Sequence, residues 1–139
     1  MLYSLVYTSK AIREYDREDL LSLLLQSRKR NERLEVTGML LYTGSRFIQV
    51  LEGDEETVLS LYNEIREDSR HLNVTPLSQN NIDKRIFPDW TMGYKNIDLN
   101  HYRNIPGLNL FLDNDAISEP YRLLLHFKDD SSCFQREAI

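Results

Sequence analysis

The feature that most limits what this chain can fold into is a pair of strand-like runs, VTGMLLYT (36–43) and RFIQVLEG (46–53), separated only by Gly44 and Ser45. Apolar and β-branched runs joined by a two-residue connection that contains glycine form an antiparallel hairpin. Alternation along the second run puts Phe47, Gln49 and Leu51 on one face and Ile48, Val50 and Glu52 on the other. A glutamine therefore stands between two large apolar neighbours.

Helical patterns flank this hairpin. Asp16 is placed to cap a helix whose first turn holds Glu18 and Asp19 and whose body is DLLSLLLQSRKRN, with Arg28, Lys29 and Arg30 at its positive end. Leu20, Leu24, Ser27 and Asn31 recur at i, i+4, i+7 and i+11, so two polar residues finish an apolar stripe. Gly53 and Asp54 open a second helix with Glu55 and Glu56 in its first turn. Val58, Leu61, Tyr62 and Ile65 keep its period to an end expected near Asp68.

Three further strands complete the pattern. Residues 2–8 alternate Tyr3, Leu5 and Tyr7 against Ser4, Val6 and Thr8; VTPLSQ carries Pro76, which has no N–H for a ladder and belongs at a sheet edge; and Trp90, Met92 and Tyr94 alternate with Thr91 and Gly93. The order βαββαββ, with crossovers on either side of a hairpin, predicts an α+β, ferredoxin-like mixed sheet with both helices on one face. Beyond residue 96, Ile105, Pro106 and Gly107 mark a break and SEPYRLLLHFK predicts a helix from Ser118. Residues 1–96 are thus expected to be one domain and residues 97–139 a C-terminal helical extension packed on it.

With 139 residues and 41% apolar side chains, one core is affordable and two are not. Seventeen Lys and Arg against 22 Asp and Glu give a net charge of −5, which speaks against broad affinity for nucleic acid or an anionic membrane. The single cysteine, Cys133, makes no intrachain disulfide or zinc-ligand pair, so a reducing cytoplasm is the expected compartment. No apolar run approaches the ~18 residues of a membrane helix, and the N-terminus has no secretory pattern. Phosphate loops, nucleophile elbows and zinc-protease motifs are absent from the sequence.

What the periodicity leaves over is a set of polar groups on faces that should be buried: Tyr7, Asn31 and Gln49. Singly, each has a plain reading: a tyrosine with its hydroxyl at a rim, an asparagine near a helix end, a glutamine satisfied by backbone. A pocket between the sheet and both helices would bring all three onto one planar, amide-rich ligand.

The blocks LVYTS, VTGMLLY, FIQVLEG, DSRH and FPDWTMG, in that order over residues 1–96, resemble the BLUF domains, flavin-binding blue-light sensors. The resemblance implies a ferredoxin-like fold that holds FAD noncovalently between the two helices. It assigns Tyr7 as the photoactive electron and proton donor and Gln49 as the amide between that tyrosine and the flavin N5 and O4 edge. Asn31 would pair with O4 and N3–H, Ser27 would line the same wall, and Arg70 and His71 would reach the pyrimidine end. Trp90 and Met92 would relay the state of the glutamine. Arg30 departs from the pattern, standing where many relatives have a second polar residue such as asparagine, and a basic group there could reach the diphosphate. The link between the first helix and VTG also looks short.

Ile12, Leu24, Leu40 and Leu51 are candidates to flank the ring, in an order the sequence does not give. The resemblance further implies a sensor that is not itself an enzyme, with no cyclase or phosphodiesterase attached in the remaining residues. Its output would go to a separate signalling protein, with a homo-oligomer expected. The alternatives are a flavin-free interaction module of the same fold and a small acylphosphatase-like enzyme using Arg70 and Asn73. An RNA-binding module would need more exposed aromatic and basic residues on the central strands than FIQVLEG offers.

Overall fold

The computed structural model describes residues 2–94, Trp90 excepted, with their side chains, and the backbone of residues 95 and 96. The expected C-terminal extension, and Trp90 with it, lie outside the described residues. Elements run β1 (Leu2–Ala11), α1 (Arg17–Leu34), β2 (Thr37–Tyr42), β3 (Arg46–Asp54), α2 (Glu55–Arg66), β4 (His71–Asn81) and β5 (Gly93–Asn96). The sheet order is β4-β1-β3-β2-β5. All neighbours are antiparallel except β2 and β5, which are parallel, so the sheet is mixed as the crossovers require.

Local chemistry explains the boundaries. Asp16 caps α1 by accepting from the backbone N–H of Asp19, whose own carboxylate accepts from the Asp16 N–H, a reciprocal capping box. The link from α1 to β2 is as short as the sequence suggests: Glu35 ends the helix with φ 57°, a left-handed turn more often given to glycine. Gly44 takes φ +95° in the hairpin turn. Pro76 sits on the edge strand β4, opposite Tyr7 and beside a register shift, where a missing ladder donor does least harm.

Leu20 and Leu24 of α1 and Val58, Leu61, Tyr62 and Ile65 of α2 pack on Leu5, Tyr7, Leu40, Tyr42 and Leu51 of the sheet, so both helices cover one face. The last strand is shorter than the Trp90–Tyr94 alternation predicts, starting at Gly93. The carbonyls just ahead of it accept from side chains of α1: Asn31 Nδ2 donates to Thr91 O and Arg28 Nε to Met92 O, each at 2.8 Å.

Candidate functional site

Tyr7 and Gln49 are register partners on the two central strands, and Leu40 faces Gln49 from β2, so alternation sends all three side chains toward the helices. The Tyr7 hydroxyl donates to Gln49 Oε1. The other half of that amide, Nε2, donates to Met92 Sδ at 3.2 Å. Tyr7, Gln49 and Met92 are 3%, 4% and 0% exposed, so this chain of contacts is shielded from water. Burial raises the Tyr7 pKa well above its ordinary value, the nearby Arg30 cation only partly opposing it, and the phenol therefore keeps its proton.

Beside the pair lies a narrow, partly open cleft. Leu23, Leu40, Phe47 and Ile65 give it apolar walls, while Ser27, Arg30 and Gln49 add polar groups. Arg30 is half-buried, and loss of hydration lowers its pKa from the ordinary arginine value. Among the described residues only its Nε is hydrogen-bonded, to Asn31 Oδ1 at 3.3 Å.

Asp68, Arg70 and His71 also line the cleft. The Arg70 guanidinium is already committed: Nε and Nη2 bond the Asp68 carboxylate and Nη1 reaches Gln26 Oε1. Those bonds hold the Asp68 carboxyl below the usual carboxylate range. His71 is engaged through both ring nitrogens, Nδ1 with Ser9 Oγ at 2.8 Å and Nε2 with the Ile65 carbonyl at 2.7 Å, while its ring stands edge-on to Tyr7.

The structure thus brings Tyr7, Ser27, Arg30, Gln49, Arg70 and His71 to one cleft. Asn31, next to Arg30 in α1 but not a lining residue, is fully buried, its NH₂ donating to the Thr91 carbonyl and its Oδ1 accepting from Arg30 Nε. Of the four apolar candidates, Leu40 lines the cleft, Leu24 and Leu51 belong to the core, and Ile12 is about half exposed. Sequence reasoning missed Leu23, although Leu23, Ser27 and Arg30 themselves stand at i, i+4 and i+7. It also missed Phe47, Ile65 and the buried Arg28. Apolar walls, a neighbouring amide and a half-buried cation suit an apolar ring system with an anionic tail.

Known proteins resemble this chain in sequence and in fold. Photoactivated adenylate cyclase subunit beta of Euglena longa is 38% identical over 92 residues, 66% of this chain and 11% of that protein. The blue light- and temperature-regulated antirepressor BluF of Escherichia coli (strain K12) is 38% identical over 77 residues, 55% of this chain and 19% of that one. The chain therefore spans less than a fifth of the length of these curated relatives. The dark-state structure of the BLUF protein BlrB superposes with a TM-score of 0.71 at 34% identity, over 90% of this chain and 92% of that one. Residues 2–93 match the family described as sensors of blue-light using FAD, and the chain belongs to that family, BLUF.

Proposed function

We propose that the cleft holds FAD and that Tyr7 and Gln49 form a two-position hydrogen-bond switch set by blue light. Bound there, the flavin supplies the blue absorption and, once excited, the oxidising power. Tyr7 is the donor of an electron and a proton, and its hydroxyl proton already lies on the bond to Gln49 Oε1. A carboxamide presents a donor on one side and an acceptor on the other, so a half-turn of the Gln49 side chain exchanges the two with little change of shape. After that turn Nε2 faces the Tyr7 oxygen, and Oε1 faces Met92 Sδ, a contact between two acceptors. Met92 then loses the bond it holds at 3.2 Å, and the two positions differ in free energy at the start of β5.

Ser27, Arg30 and Asn31 of α1, with Arg70 and His71, are the residues that would hold the cofactor. Arg30 is best suited to an anionic group, since its guanidinium is the least committed of the three basic side chains at the cleft. Met92, and Trp90 beside it in sequence, would relay the state outward to a separate signalling protein, the chain acting as a cytoplasmic homo-oligomer without catalysis of its own. The relatives' names, a photoactivated cyclase and a light-regulated antirepressor, show the kinds of output such a domain controls. Among the described residues no helix is long and apolar enough to cross a membrane, which fits a sensor that works through protein contacts.

The observation that carries this reading is the buried Tyr7–Gln49–Met92 hydrogen-bond chain at the cleft. Purified in the dark, the protein should be yellow and should show a reversible red shift of its flavin absorption under blue light. Gln49→Leu and Tyr7→Phe should keep the flavin and lose the shift. A Gln49→Leu protein that photocycles with the wild-type shift would refute the role given to the amide.

A further inference from the structure

We propose that Arg28 is a positioning residue of the switch: it latches the backbone carbonyl of Met92 in the dark arrangement and releases it when Gln49 turns. This rests on the reading of Gln49 above and extends it to α1. In the sequence, Arg28 looks like one of three solvated cations at a helix end, yet it is only 8% exposed. Burying a guanidinium is costly unless its hydrogens are spent on acceptors. Its Nε spends one on Met92 O at 2.8 Å, a charge-assisted bond.

The geometry grips Met92 from two directions. Its sulfur accepts from Gln49 on β3, and its carbonyl accepts from Arg28 on α1. One residue earlier, Asn31 holds the Thr91 carbonyl at 2.8 Å, so α1 grips two successive carbonyls ahead of β5. The beginning of the same segment is pinned elsewhere: the buried Glu52 carboxylate accepts from the N–H groups of Ile86 and Phe87 at 2.8 and 2.9 Å. With Phe87 fixed from β3, a change at Met92 has to be absorbed in the few residues between the two anchors.

On the β2 side Met92 is closely packed: a methyl group built on Gly38 would stand 3.5 Å from Met92 Cε and 1.9 Å from the Val50 carbonyl oxygen, so a change in the Met92 side chain is passed on rather than absorbed there. When Gln49 turns, the sulfur loses its donor, the Met92 side chain shifts, and the carbonyl rotates off the guanidinium. Helix α1, which also carries Ser27 and Arg30 at the cleft, thereby senses both the ligand and the state of Met92.

The test is light-minus-dark infrared spectroscopy of the FAD-loaded chain carrying methionine labelled with ¹³C at the carbonyl, in a Met39→Leu background that removes the other internal methionine. A carbonyl that loses a charge-assisted hydrogen bond absorbs at higher frequency. The labelled band should move up on illumination and return in the dark together with the flavin shift. In Arg28→Met the band should stand at the higher frequency already in the dark and stay there under light, while the flavin red shift persists. A visible red shift with an unmoved labelled band in the unsubstituted Arg28 protein would overturn the latch, as would an Arg28→Met protein whose band still moves as before. Absence of the visible shift with Arg28 intact would overturn the switch reading, and the latch with it. The Arg28 protein decides the matter even if the variant does not fold.

Discussion

The Tyr7–Gln49 bond joins two side chains that are 3% and 4% exposed, and a double-mutant cycle measures what that pairing is worth. Gln49→Leu leaves the Tyr7 hydroxyl buried without its acceptor, a loss of about 1–3 kcal/mol. Tyr7→Phe leaves Gln49 Oε1 without its donor, at a cost of similar size. If the two side chains acted independently, the double variant would lose roughly 2–6 kcal/mol, the sum of the two. Because the double variant puts apolar groups at both ends of the bond, neither polar atom is stranded, and its loss should be no larger than that of Gln49→Leu alone. The expected coupling is about 1–3 kcal/mol. The assay is urea unfolding in the dark of protein stripped of flavin, so that differences in cofactor affinity do not enter the stability. Additivity within about 0.5 kcal/mol would refute the claim that these side chains satisfy each other.

Three other outcomes follow from the structure. Gly38→Ala should cost about 3 kcal/mol or more in chemical denaturation, because its Cβ would lie 1.9 Å from the Val50 carbonyl oxygen, a backbone atom that cannot move aside. Arg30→Gln should weaken FAD binding more than riboflavin binding in a fluorescence titration, since only FAD carries a diphosphate; equal losses would contradict that placement of the cation. Asp68 is held below the usual carboxylate range by Arg70, so the stability it contributes is present above its unfolded pKa of about 4 and lost as the pH falls through the folded value. Wild type should therefore lose more stability than Asp68→Asn on acidification below about pH 5; parallel acid limbs would show that the Arg70 bonds contribute nothing.

Much of the fold was readable because local signals agreed with one another. Asp16 announced the helix cap, Gly44 the hairpin, and Pro76 the sheet edge. The helix stripe of Leu20, Leu24, Ser27 and Asn31 is buried as its spacing requires, and Tyr7 and Gln49 meet because alternation on adjacent strands leaves them no other side. What the sequence hid were the groups whose burial depends on distant partners. Arg28 and Glu52 have the chemistry of surface residues, and partners distant in sequence, Met92 for the first and Ile86 and Phe87 for the second, meet them inside. The same limit applies to His71: its position at the cleft was legible, but its bonds to Ser9 and Ile65 arise from packing among α2, β1 and β4. The start of β5 was misplaced for a related reason, since two side chains of α1 take the carbonyls of Thr91 and Met92.

The central claim is that the Gln49 amide has two positions and that light exchanges them. Nuclear magnetic resonance of the ¹⁵N-labelled glutamine side chains, with the Gln49 signal identified by its disappearance in Gln49→Leu, reads this directly. In the dark its N–H resonances should report a weak bond to sulfur. Under blue light they should shift to positions expected for a bond to oxygen, then return in the dark at the rate of the visible absorption. A Gln49 signal unchanged by light while the flavin absorption shifts would contradict the account.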